Sequence, residues 1–221
     1  MTQTSARERI LQRLRAASVM PVDVPDLATF YDQRPHEDHA TRVERLALNL
    51  TNAMAEVHRT TADDLLGALT RVIRDKSLTR VALGEELLVC QDLCDGVQSV
   101  CTIHPVQSVH AEQRALFETA DAGLTLAHAA IAETGTLVLM SSPQAPRLLS
   151  LVPPVHIVIL DVSSRIYDTL FDLMRQESWS QGLPTNVILV SSPSKTADIQ
   201  QTLAYGAHGP KQLVVMMVEG R

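Results

Sequence analysis

Aromatic residues make up only 3% of this 221-residue chain. That argues against a surface that stacks nucleic-acid bases, and it leaves the core to Leu, Val, Ile, Ala and Met. Excess positive charge is also missing: the net charge is -6. A domain that grips a phosphate backbone carries clustered basic groups, and no such cluster is visible. No apolar run reaches the roughly 20 residues needed to cross a bilayer; the longest, around Leu149–Leu160, is broken by Pro153, Pro154 and His156. The N-terminus has no apolar signal core, because Ser5–Met20 reads as a charged amphipathic helix, so a cytoplasmic location is expected. The three cysteines, Cys90, Cys94 and Cys101, are odd in number, and their C-x3-C-x6-C spacing matches no common zinc or iron–sulfur pattern. They are expected to be small semi-buried thiols, with no metal site. A G-x-G-x-x-G run is absent, so no dinucleotide site is expected.

What is present is ordinary for a folded α/β domain: 45% hydrophobic and 20% charged residues. Ser5 with Glu8 makes a capping-box pattern ahead of Ile10, Leu11 and Leu14. Residues 18–36, with Pro21, Pro25 and Pro35, read as a loop or an extended crossing. Asp38–His58 carries a helical stripe, Val43, Leu46, Leu50, Met54 and Val57. Thr61 and Asp64 precede a further helical stripe from Leu65 to Ile73. After that the period changes. Strands are expected at Arg80–Leu83, Gln98–Ile103, Leu124–Ile131, Thr136–Met140, Val155–Leu160, Asn186–Val190 and Gln212–Val218. Helices are expected at Ala111–Ala120, Ser164–Gln176 and Thr196–Ala204, with a helical turn at Arg147–Val152. The alternation predicts an α/β fold with a single mostly parallel sheet flanked by helices and one antiparallel pair at the 133–135 turn. Residues 1–60 are expected to form a helical N-terminal region packing on a main domain of residues 61–221.

Three polar segments are candidates for a site, on the rule that open α/β sheets bind ligands beyond the C-terminal ends of their strands. In the first, Ala132–Thr136, Glu133 is a possible base or nucleophile, with hydroxyls from Thr134 and Thr136 beside Gly135. A plain hairpin turn with a solvated Glu is the alternative. The second, Ser191–Asp198, sits between a strand and an expected helix. Ser192, Ser194, Lys195 and Thr196, with Asp198 beyond, would suit a phosphate or carboxylate at a helix start; ordinary capping is the alternative. The third, Tyr205–Pro210, places His208 and Gly209 in a loop, where His208 can change charge near neutral pH or be merely solvated. Arg147 after Pro146 is a further anion-binding candidate. His156 reads as a satisfied core histidine, and Met216 and Met217 read as core.

The run A-I-A-E-T-G-T-L-V-L (130–139), followed by R-L-L-S-L-V-P-P-V-H-I-V-I-L (147–160), resembles the central signature of the lactate-utilization protein C family, the LUD domain. S-S-P-S-K-T-A-D-I-Q (191–200) and G-A-H-G-P-K-Q-L (206–213) resemble its C-terminal signature. The family has Gly where this chain has Ser192 and Arg where it has Lys195; Lys keeps the cation without the bidentate fork. The resemblance implies a fold similar to the sugar-phosphate isomerase, CoA-transferase and formyltetrahydrofolate cyclo-ligase group. It also implies a role in oxidising L-lactate to pyruvate beside iron–sulfur oxidoreductase subunits, with no cofactor bound by this chain. Glu133 and His208 would be the catalytic candidates; Thr134, Gly135, Thr136, Arg147, Ser192, Ser194, Lys195, Thr196, Asp198 and Gly209 would bind a small anion. Two alternatives remain open: a stand-alone enzyme acting on a phosphorylated or CoA-linked metabolite, and a binding module that senses an acidic metabolite.

Overall fold

The computed structural model describes residues 5–17, 23, 25–106, 118–163, 165–182, 184–197, 203–206 and 208–220. The chain divides into two compact units, residues 1–35 and 36–221. The smaller holds α1 (Ala6–Ala16), opened by the expected Ser5–Glu8 capping box, and α2 (Leu27–Asp32), which lies where a loop is expected.

The larger unit runs α3 (His39–Asn52), β1 (Glu56–Thr61), α4 (Leu65–Asp75), β2 (Arg80–Gly84), α5 (Glu85–Leu88), α6 (Gln91–Gln98), β3 (Thr102–Val106), β4 (Ala122–Leu126), β5 (Ala129–Ile131) and β6 (Thr136–Met140). A 3₁₀ turn at Arg147–Ser150 leads to β7 (Val155–Asp161), β8 (Ile166–Tyr167), α7 (Leu170–Gln176), β9 (Val187–Val190), β10 (Lys195–Ala197), β11 (Leu203–Tyr205) and β12 (Gln212–Glu219). Six strands form a wholly parallel sheet in the order β1-β12-β7-β4-β2-β3. This is the expected α/β class. Beside it stand a four-stranded mixed sheet, β8-β5-β6-β9, and the β10–β11 hairpin.

The central strands are apolar on both faces because both faces are covered. Along β12, Val214, Met216 and Val218 enter one core with Leu69 and Ile73 of α4 and Val97 of α6. Leu213, Val215 and Met217 enter another with Leu46 and Leu50 of α3 and with Leu137 and Leu139 of the mixed sheet. The mixed sheet thus takes the place of a helical layer over part of one face.

Several expected elements differ. α3 stops at Asn52, where Met54 adopts a positive φ, and the remainder of the expected helix is β1. The expected strand at Gln98–Ile103 overlaps the end of α6, and its β part is shifted to Thr102–Val106. The run Leu124–Ile131 splits between two sheets, β4 in one and β5 in the other. Ser164–Gln176 begins as β8, and helix starts only after the Thr169 cap. The Asn186 strand is an edge of the mixed sheet, with Leu189 exposed, rather than a doubly covered parallel strand. In place of the expected helix at Thr196–Ala204, both ends of the segment pair as antiparallel strands. Cross-strand register, which the segment's own spacing does not carry, decides both ends. Residues 111–117 of the expected Ala111–Ala120 helix lie outside the described residues.

Candidate ligand-binding cleft

Two of the three polar segments meet in one cleft of about 460 Å3. Ser191, Ser192, Ser194 and Lys195 form one wall and His208, Gly209 and Pro210 another, with Ser150, His156 and Leu213 also lining it. Backbone bonds join the two loops: Ser194 N–H donates to Pro210 O (2.8 Å) and Gly206 N–H to Ser194 O (2.9 Å). The His208 N–H donates to Ser194 Oγ at 3.3 Å. Gly206 has φ +77, and a Cβ there would meet Lys211 Cγ at 2.3 Å, so glycine permits the turn. The Lys195 and His208 side chains are exposed.

The position of this cleft departs from expectation. His156 and Leu213 stand at the N-terminal ends of β7 and β12, so the cleft lies at the opposite edge of the parallel sheet from its strand C-termini. No helix starts at 195–197, so the anion-binding helix end expected there is replaced by strand backbone and hydroxyls. Asp198 lies outside the described residues, and Thr196 is described only in its backbone, as part of β10.

The first segment reaches the cleft by a chain of hydroxyls. Thr134 Oγ1 lies 2.6 Å from Thr136 Oγ1, and Thr136 Oγ1 lies 2.7 Å from Ser191 Oγ. Glu133 is not among the cleft-lining residues. Its N–H donates to Asp168 O (3.0 Å), and Asn49 Nδ2 of α3 donates to the carbonyls of Ala132 (2.9 Å) and Glu133 (3.1 Å). Beside it, Asp168 accepts from Arg45 Nη2 at 3.0 Å and has Arg42 Nη1 at 3.7 Å. Arg147 is exposed at the start of the 3₁₀ turn and does not line the cleft.

His156, read from the sequence as a core histidine, is buried as expected and also borders the cleft. It is 1% exposed, and its Nε2 lies 2.9 Å from Thr125 Oγ1. Its Nδ1 has no partner among the described residues. Burial lowers its pKa to about 3, so the ring is neutral at physiological pH. A lone histidine on an apolar strand gives no local signal of this; the cleft around it comes from segments far along the chain.

A second polar cluster lies where the strand C-terminus rule points. Glu86, His128, Asp161 and Arg165 line a hollow at the ends of β4 and β7. Arg165 Nη1 donates to His128 Nδ1 (2.9 Å), His128 Nε2 lies 3.2 Å from Glu177 Oε2, and Tyr167 OH donates to Glu177 Oε1 (2.9 Å). Burial pushes the Glu86 carboxyl up; in Glu177 burial is outweighed by His128 and Tyr167, which hold it down. The cysteines are free, and burial raises the pKa of the Cys94 and Cys101 thiols.

A LUD domain profile matches residues 43–218, most of the chain and all of the cleft. The chain belongs to the LUD domain family. Among its relatives, "Uncharacterized protein NMB1437" of Neisseria meningitidis is 36% identical over 97% of this chain and 94% of that protein. "Lactate utilization protein C" of Halalkalibacterium halodurans is 28% identical over the same shares. The Bacillus subtilis protein of that name is 34% identical over 47% of this chain and 45% of its own length. A crystal structure of a DUF162 family protein from Deinococcus radiodurans shares the fold, with a TM-score of 0.59 at 23% identity over 83% of this LUD chain and 99% of the other. No helix among the described residues is long and apolar enough to cross a membrane.

Proposed function

We propose that this LUD chain serves a lactate-utilization system as a subunit that binds a small carboxylate in the cleft, while iron–sulfur partner proteins carry the electrons. The names of the Halalkalibacterium and Bacillus relatives support the pathway. The observation that carries the ligand class is the convergence of the 191–195 and 208–210 loops, with their hydroxyls and the Lys195 cation, over buried His156. Hydroxyl donors, a lysine and a partly dry wall make a site in which a carboxylate is stabilised more than a neutral group. Lys195 supplies charge without fixing orientation, so the hydroxyls orient the ligand.

The test is thermal unfolding of the purified chain with L-lactate, pyruvate, inorganic phosphate, a sugar phosphate or CoA. A ligand held only by the folded state adds about 2.7 kcal/mol of stability at 100 times its dissociation constant. The expected result is a shift with a lactate-pathway acid that Lys195→Ala reduces. A shift confined to phosphate or CoA would instead favour an enzyme of phosphorylated or CoA-linked metabolites. Co-purification with iron–sulfur proteins from cells growing on lactate tests the partner half of the reading.

A further inference from the structure

We propose that the hollow at the ends of β4 and β7 is a second ligand site, separate from the carboxylate cleft, and that it takes an amino acid in its zwitterionic form.

The first ground is its place in the fold. The chain leaves β2 for β3 on one side of the parallel sheet and leaves β4, by way of the mixed sheet, for β7 on the other, while β2 and β4 are neighbours. Connections that part in opposite directions open a crevice beyond the strand C-termini, and open α/β sheets bind ligands there. Glu86 follows β2, His128 follows β4 and Asp161 ends β7, and all three line the hollow of about 460 Å3.

Charge is divided between its two sides. The parallel sheet contributes the acidic groups, Glu86 and Asp161, and the entries to the mixed-sheet strands contribute the basic ones, His128 before β5 and Arg165 before β8. Glu86 is half-buried, and among the described residues neither it nor Asp161 has an ion-pair partner. Asp161 uses Oδ1 on the Ser163 N–H (2.8 Å) and hydroxyl, which leaves Oδ2 open. A carboxylate drawn out of water without a cation lowers stability until something neutralises it. A ligand ammonium does so.

Arg165 is braced from behind. Its Nη1 donates to His128 Nδ1 at 2.9 Å; a guanidinium can only donate, so Nδ1 is the acceptor and the ring proton lies on Nε2. That Nε2 is 3.2 Å from Glu177 Oε2, and Glu177 Oε1 accepts from Tyr167 OH (2.9 Å). The series Tyr167, Glu177, His128 fixes one corner of an otherwise exposed guanidinium, whose remaining N–H groups have no partner among the described residues. An arginine held in this way presents its fork to a carboxylate. A simple anion would suit Arg165 but be repelled by the two carboxylates, and a simple cation would meet the reverse. A molecule with an ammonium and a carboxylate a few bonds apart suits both sides, and an α-amino acid is the smallest of that class.

The ring 15N resonances of His128 report on this hollow and not on the cleft around Lys195, so they are followed while the full chain is titrated with each standard L-amino acid. At least one is expected to shift them to saturation. Its des-amino acid and its decarboxylated amine are each expected to bind weaker by about tenfold or more. Glu86→Gln and Arg165→Gln are expected to weaken the amino acid by a similar factor. A panel that leaves the His128 resonances unmoved overturns the proposal, as does a des-amino acid or amine that binds equally well. Wild-type affinity in either folded variant overturns it too, because the charge on that side is then not what holds the ligand. The wild-type titrations decide the ligand class even if neither variant folds.

Discussion

At the scale of single residues, the molecule turns on a few positions where the side chain, or its absence, is dictated by a neighbour. Gly135 holds φ +62 in the turn between β5 and β6, and a Cβ there would meet Asn49 Cβ at 2.7 Å and Leu50 N at 2.9 Å. Those atoms belong to α3, so the glycine is required by both conformation and close approach. Gly135→Ala is expected to destabilise the protein by about 2–4 kcal/mol, combining left-handed strain with overpacking. Urea unfolding would register this as a lower midpoint at unchanged slope. The sequence placed Gly135 in a turn, but the α3 contact that makes it obligatory was invisible there. His156 is the opposite case. Its apolar neighbours Val155, Ile157 and Val158 mark it as a core residue, and it is one; that it pairs with Thr125, 31 positions earlier, and borders the cleft is decided by distant segments.

Four helices start at a side-chain cap, at Ser5, Asp26, Asp38 and Thr169. α7 starts at Leu170 because Thr169 and Asp172 form a reciprocal box. Asp172 N–H donates to Thr169 Oγ1 (3.1 Å), while Thr169 N–H and Oγ1–H donate to Asp172 Oδ2 (3.2 and 2.7 Å). Both side chains are buried, so solvent cannot replace a lost partner. Thr169→Ala is expected to cost about 2 kcal/mol, at the upper end for a cap. A stability change within experimental error would show that the box is not what fixes the helix start. The same element shows why Ser164–Gln176 reads as one helix: its apolar spacing is helical throughout, yet Ile166 and Tyr167 pair with Ala130 and Ile131 instead. Strand pairing is non-local and leaves no mark on the segment it recruits. The β10–β11 pair deceived in the same way, since Lys195 finds its partner at Tyr205, ten positions on.

On the scale of the whole molecule, burying a histidine ties stability to pH. His156 has a pKa of about 3 in the folded protein against 6.5 when free. Above pH 6.5 the ring is neutral in both states and contributes no pH dependence. Below it, the unfolded chain binds a proton that the folded chain refuses, so stability falls as pH drops. The slope approaches about 1.4 kcal/mol per pH unit, down to the folded pKa. The gap in unfolding free energy between wild type and His156→Gln should therefore move against the wild type from pH 6.5 to pH 5. A gap that stays constant over this interval would mean that the ring is already charged, or that solvent reaches it. His156 lies in the central sheet, bordered by β12 and β4, so the effect is read in global unfolding.

The sequence by itself determined the α/β class, the buried central strands, the antiparallel turn around Gly135 and the polar segments that form the cleft. Each of these is written in contiguous residues: apolar runs such as Val155–Leu160 and Leu213–Val218, turn glycines, and hydroxyl-rich loops. Tertiary structure alone decided the order β1-β12-β7-β4-β2-β3, the division of Leu124–Ile131 between two sheets, and the placing of the cleft at the N-terminal edge of the parallel strands. It also decided that His156, rather than Glu133, lines that cleft. The physical reason is one of range: capping and periodicity act within a few residues, whereas sheet order, strand recruitment and the burial of one imidazole depend on contacts between segments far apart in the chain.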